Sequence, residues 1–167
     1  MKTLVIKPFK TYDSLPRIVA NICKQETDLL LLDYCVIKQD FAQSILQSDR
    51  VTYVQNDFVD VNKLQNYYLQ PEYDIVIVAD MRECELADDF VAKMVAPFED
   101  ENVNMTYSDF SSNGIPHFHM SAPSYIKAYP LFAFRTSIIK ESHPDLPVML
   151  SDQTLSVHIN SDLVNLL

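Results

Sequence analysis

At 167 residues and 48% hydrophobic, with nine Tyr and nine Phe, the chain is long enough to bury one aromatic-rich core without staples. A formal net charge of −10 argues against a surface that grips nucleic acid by neutralising phosphates, and leaves a nucleic-acid-borne substrate open only through a local basic patch. A single glycine, Gly114, against nine prolines removes the phosphate loops that depend on glycine backbone freedom, the dinucleotide fingerprint and the P-loop among them.

The elements follow in chain order. Thr3-Leu4-Val5-Ile6 is a β-branched run ending at Lys7-Pro8 and predicts a buried strand leading into a loop. Asp13 or Ser14 can cap the next segment, with Pro16 in its first turn. Leu15, Ile18, Val19 and Ile22 recur at helical spacing to about Gln25. Leu29-Leu30-Leu31-Leu32 is too short for a helix and predicts a strand ending at Asp33. Phe41, Ile45 and Leu46 predict a short helix, and Arg50-Val51-Thr52-Tyr53-Val54 a third strand. Asp60 can cap a helix carrying Val61, Leu64 and Tyr68 on one face. The strongest strand is Tyr73-Asp74-Ile75-Val76-Ile77-Val78-Ala79, ending abruptly at Asp80. Asp88 then opens a helix with Phe90, Val91, Met94 and Val95 inside, closed by Pro97.

Strand and helix thus alternate over the first hundred residues, an order that calls for an α/β fold with a mostly parallel sheet flanked by helices. Beyond it, Asn104-Met105-Thr106-Tyr107-Ser108-Asp109 predicts a strand, residues 111–124 a loop, and Leu131-Phe132-Ala133-Phe134 a strand. Ser151 or Asp152 can cap a last helix with Leu155 and Ile159 inside. No repeat, low-complexity tract or domain boundary interrupts the chain, which reads as one domain. Cys23, Cys35 and Cys84 stand far apart in apolar stretches and read as buried thiols rather than a zinc or redox motif. The N-terminus lacks the form of a signal peptide and no run reaches transmembrane length, so a reducing, cytoplasmic setting is expected.

In open parallel sheets ligands collect at the carboxyl ends of the strands, where the strand order reverses. The residues after the first strand (Pro8 to Asp13), Asp33 and Asp80 all fall there. Each aspartate alone reads more simply as a loop or helix cap. His117 and His119 flank Phe118 and could share a metal, with Asp109 the nearest strong carboxylate, although ordinary loop histidines explain them too. The acidic clusters at 83–89 and 99–101 read as helix-start and surface charge. A serine or cysteine hydrolase has no motif here, because the strand-to-helix elbow needs glycines the chain lacks.

The order of these pieces resembles the family-2-type glycosyltransferases, whose catalytic domain is the A-type nucleotide-diphosphosugar transferase fold with a Rossmann-like sheet. Val5-Ile6-Lys7-Pro8-Phe9-Lys10 with Ser14-Leu15-Pro16-Arg17 looks like that family's first strand, loop and helix, and Leu31-Leu32-Asp33 like its second strand. The strand ending at Asp80 is similar to the one leading into the Asp-x-Asp metal motif. Phe134-Arg135-Thr136 followed by Leu150-Ser151-Asp152-Gln153 resembles the acceptor-side segment.

The resemblance implies one glycosyltransferase-like domain over 1–167, with a nucleotide-binding half to residue 100 and an acceptor-side half after it. It implies transfer of a sugar from a nucleotide-diphosphate donor to an acceptor hydroxyl, and allows Mn²⁺ or Mg²⁺ as a divalent cofactor. The roles carried over are Asp152 as general base, Asp80 as metal ligand, and Pro8, Lys10, Asp33, Arg82 and Arg135 around the nucleotide sugar. The departures are plain. The metal motif reads Asp80-Met81-Arg82, with a guanidinium at its second acidic position, and Ser151 stands where an acid precedes the base. Glu83 and Glu85 are the nearest substitute ligands. These departures also admit an inactive member of the fold serving as a binding or assembly module, in which case an oligomer or a partner complex is expected.

Overall fold

The structure is a computed structural model that describes residues 1–9, 15–25, 27–33, 49–55, 72–79, 84–112, 115–117, 131–137 and 156–166. The helices expected near residues 41–46 and after Asp60, and the caps at Asp13 and Ser14, lie outside these residues.

Among the described residues the strands form one nine-stranded mixed sheet. Its first half is parallel: β1 (Thr3–Phe9) pairs with β2 (Asp28–Asp33) on one side and β4 (Ile75–Ala79) on the other, and β2 pairs with β3 (Val51–Gln55). The order then continues from β4 through β8 (Leu131–Arg135), β6 (Met105–Ser112) and β9 (Ser156–Leu166) to β5 (Cys84–Leu86). β8 runs antiparallel to both of its neighbours, so β6 and the parallel β9 point the same way as β1. β7 (Ile115–His117) pairs with the end of β6.

Side chains alternate between two buried faces, which explains why β4 is apolar throughout and β1 largely so, Thr3 and Lys7 apart. Val5, Phe9, Ile75, Ile77 and Ala79 pack on one face against helix α1 (Leu15–Cys23) and helix α2 (Phe90–Val95). Leu4, Ile6, Val76 and Val78 pack on the other with Met105, Tyr107, Phe132 and Phe134. α1 buries Leu15, Ile18 and Ile22, the stripe its sequence predicts, and Arg50 donates to the carbonyls of Cys23 and Gln25 at 2.7 and 2.8 Å, satisfying acceptors at the helix end.

Four local expectations are corrected. Asp88 does not cap α2. The helix starts at Phe90, Asp89 makes no side-chain cap bond, and the buried Gln25, just after α1, accepts the Val91 N–H at 2.7 Å instead. Residues 84–86, read within an acidic cluster, form strand β5, because Cys84 and Leu86 are buried on either side of Glu85. The stretch read as a loop from 111 contains the end of β6 and the paired β7. Ile159 lies in strand β9 rather than in a last helix.

The register between β6 and β9 shifts at Ser108/Asp109 and again before Ser111, and β5 sits at the far edge of the sheet beyond β9. Even so, Cys84 and Leu86 of β5 share the core cluster of α1, and Asn21 of α1 exchanges hydrogen bonds with the backbone of Leu86 at 2.9 Å. The far edge therefore curls back over the helical face, bringing β5 to α1.

The amino end of the sheet is stitched together by polar groups. The Lys2 N–H donates to Asp74 at 2.7 Å, Thr136 Oγ1 donates to the Tyr73 carbonyl at 2.6 Å, and the Tyr73 hydroxyl donates to Asp28 at 2.9 Å. Partial burial, then the hydrogen bond to Asp28 and its charge, push the Tyr73 hydroxyl up from 10 to about 12. A folded state that holds this proton more tightly than the unfolded chain draws stability from it below pH 10 and loses it as the pH climbs to about 12. Urea melts across that window should show Tyr73→Phe losing less stability than the wild type.

Candidate functional site at the carboxyl edge

β1 is flanked by its sequence successor β2 on one side and by β4 on the other, so the connections leave it in opposite directions. The crevice at the carboxyl ends of β1 and β4 is the topological switch point of the sheet. Phe9, Asp33 and Gln55 end β1, β2 and β3 level with one another. On the other side Ile6 is the register partner of Val78, which puts Lys7 beside Ala79, the last residue of β4.

The structure thus places Asp33 at the end of β2 next to Phe9, and Pro8 within β1 opposite Leu32, both at the edge where the sequence expects a ligand. Lys10, Asp80, Arg82 and Asp152 lie outside the described residues, as do Glu83 and His119.

Arg135 is not brought together with Asp33. It pairs with Ile75 at the start of β4, the opposite end of the sheet. There its guanidinium donates to the carbonyls of Val103 at 2.8 Å, Asp100 at 3.0 Å and Phe98, and lies over the Phe98 ring at 5.2 Å. The nucleotide role given to it by resemblance is met instead by a clamp on the turn between α2 and β6. Removing a charged donor from several carbonyls costs about 2–3 kcal/mol. Arg135→Met is therefore expected to lower the urea midpoint by that amount at an unchanged slope.

Glu85 is also directed elsewhere. Its carboxylate pairs with Arg17 of α1 at 2.5 Å, and that hydrogen bond holds it below the usual carboxylate range. His117 pairs with Phe110 across β6 and β7, next along the strand from Asp109. Among the described residues no group of three or more His, Cys, Asp or Glu could hold a metal ion.

Two residues at this edge escaped sequence reasoning as functional candidates or were weighed only in passing. Lys7 is fully buried on β1. Burial pushes the Cys84 thiol up, and the charge and hydrogen bonding of Lys7 draw it back down. Asp109 is fully buried on β6 and is the register partner of Asp162 on β9. The signal for Lys7 was present in the sequence: a lysine inside a run apolar on both faces is rarely left to water. An open depression of about 510 Å³ lined by Thr3, Lys24, Gln25, Asp88, Val91 and Glu99 lies at the amino ends of the strands, away from the switch point.

No protein-family model matches the sequence, and a search of curated proteins finds no match. Solved structures do. TarS 1–349 from S. aureus superposes with a TM-score of 0.71 at 12% identity, covering 99% of this chain and 60% of that one. The mannosyltransferase PcManGT from Pyrobaculum calidifontis, in complex with GDP-Man and Mn²⁺, gives 0.66 at 15% identity, covering 98% and 56%. A nucleotide-diphospho-sugar transferase from Desulfovibrio desulfuricans G20, described as putative in its own name, gives 0.58 at 9% identity, covering 100% and 83%. The fold is the A-type nucleotide-diphosphosugar transferase fold. The chain spans about 60% of the TarS chain and 56% of the PcManGT chain. TarS is also seen with UDP-GlcNAc. Among the described residues no helix is long and apolar enough to cross a membrane.

Proposed function

We propose that this chain is a glycosyltransferase that moves a sugar from a nucleotide-diphosphate donor to an acceptor hydroxyl, a relative of the family-2-type enzymes with an altered metal motif. The observation that carries the reading is the switch point itself: Asp33 ends β2 beside Phe9 at the carboxyl edge of a fold whose neighbours hold GDP-Man and UDP-GlcNAc. Asp33 binds the base or ribose, with Pro8 and Lys10 along the end of β1. Arg82 meets the diphosphate, since a guanidinium can take two phosphate oxygens at once. Asp152 takes the proton of the acceptor hydroxyl as that oxygen attacks the anomeric carbon and the nucleoside diphosphate departs.

A divalent cation, if one is used, would be held by Asp80, with Arg82 standing where the motif's second acid would be; it would supply charge compensation for the departing diphosphate.

The test is a thermal-shift panel of nucleoside diphosphates and nucleotide sugars, because a ligand that binds only the folded state raises the melting temperature by mass action. A shift confined to one nucleotide supports the transferase reading. No shift across the panel overturns it and leaves a binding or assembly module, to be sought by its partners.

A further inference from the structure

The depression of about 510 Å³ at the amino ends of the strands takes no part in the chemistry described above. Its apolar wall is the outer side of α2 and the 3₁₀ turn Ala96–Glu99 that continues it: Ala92 and Ala96 are exposed there and Val95 is half-buried. Met1, which also lines it, is 57% exposed, and a large apolar side chain left in water beside an apolar wall is a common mark of an interface. The charges around the depression are sorted by position. Lys24 stands at one end, 3.6 Å from Asp88, which precedes α2, and Glu99 closes the other end. Residues 88 and 99 are separated by roughly 16 Å of helical rise. The Lys24–Asp88 pair is loose, with side chains 63% and 81% exposed, and among the described residues Glu99 is in no ion pair.

We propose that this depression is the centre of a homodimer interface, its occupant a second copy of this chain related by a two-fold axis. A two-fold contact joins one patch to itself, so the patch has to be self-complementary. This one is. With the two α2 segments antiparallel, Lys24 of each copy comes to Glu99 of the other, and the attraction is made twice. The alanines let the two backbones approach closely, and Met1 of each copy is covered by the apolar wall. Charge pairs at the rim of an interface add less to its strength than to its register and choice of partner, which is what a positive end matched to a negative end supplies. The inference goes beyond the transferase reading and does not depend on it. The depression lies at the end of the sheet opposite the switch point, so the dimer leaves both crevices open.

The experiment is sedimentation of the full chain from about 1 to about 100 μM, the range in which an interface of ordinary size associates. The wild type is expected to rise from the 19.2 kDa monomer toward twice that mass. Ala96→Arg, at the middle of the wall, should leave a monomer throughout. Lys24→Glu alone, or Glu99→Lys alone, sets like charges against each other and should weaken association by about tenfold or more. The double variant restores the opposite signs and should return to within about threefold of the wild type, a rescue that a merely destabilised chain would not show. All three positions are exposed, so the variants are expected to fold. A wild type that stays monomeric to about 100 μM overturns the inference and leaves the depression to some other protein. A dimer untouched by Ala96→Arg, or a double variant as weak as the single ones, overturns it too, because the contact then lies elsewhere. Nucleotide binding measured on the same samples reports on the transferase reading separately, so either can fail while the other stands.

Discussion

Asp152→Asn is expected to lower sugar transfer by about 10²- to 10⁴-fold, the range that one positioned general base contributes. The substitution is nearly isosteric, but the amide has no basic oxygen to take the acceptor's proton. Because the base acts on the acceptor and not on the nucleotide, donor affinity should hold while turnover falls. Initial rates at saturating donor, set beside donor affinity from calorimetry, separate the two. If transfer and donor hydrolysis both proceed at the wild-type rate, Asp152 is not the base, and the search passes to the carboxylates described on the sheet, with Asp109 on β6 the first to replace.

Phe134→Ala is expected to destabilise the fold by about 3–5 kcal/mol, the usual cost of truncating a buried phenylalanine. Phe134 is fully buried at the middle of the sheet, between Val76 of β4 and Met105 of β6, with its ring 5.9 Å from that of Phe132. A rigid strand layer cannot collapse onto the space the ring leaves, so both the transfer and the cavity contributions apply. Against a typical total of about 5–15 kcal/mol for a domain, that is a large share. Chemical denaturation should show an earlier midpoint, and a change under about 1 kcal/mol would mean the two sheet halves are not packed through this residue. The adjacent Arg135 works differently, through the carbonyls of Phe98, Asp100 and Val103 on the turn between α2 and β6.

The parallel half of the fold was legible because its physics is local. β4 is a run of five buried apolar residues bounded by charge, and α1 repeats its apolar positions at the helical period, so one window of sequence identifies each. The second half was not, because its strands depend on distant partners. β5 is three residues long and is a strand only by virtue of β9, some eighty positions later in the chain. In β9, Val157 and Ile159 alternate as a strand should, but the register break that follows shifts the phase. Leu155 and Ile159 alone then imitate a helical repeat.

The same contrast divides the site. Asp33 could be placed because it ends an apolar run, and strand ends are where such sheets take ligands. Lys7 was passed over because Lys7-Pro8 reads as a strand's exit into a loop, whereas β1 runs on to Phe9 and buries the lysine. Arg135 was assigned to the nucleotide by its place in an ordered set of motifs. The antiparallel direction of β8 sends it to the other end of the sheet.

That antiparallel strand also bears on how the protein is made. β8 inserts between β4 and β6, so the inner parallel strands have no neighbour on that side until residues 131–135 have left the ribosome. Until then β4, apolar on both faces, presents an open edge to any other strand in reach. A nascent chain halted near residue 100 should therefore be sticky rather than half-folded, and its synthesis should call on chaperones well before the last strand appears.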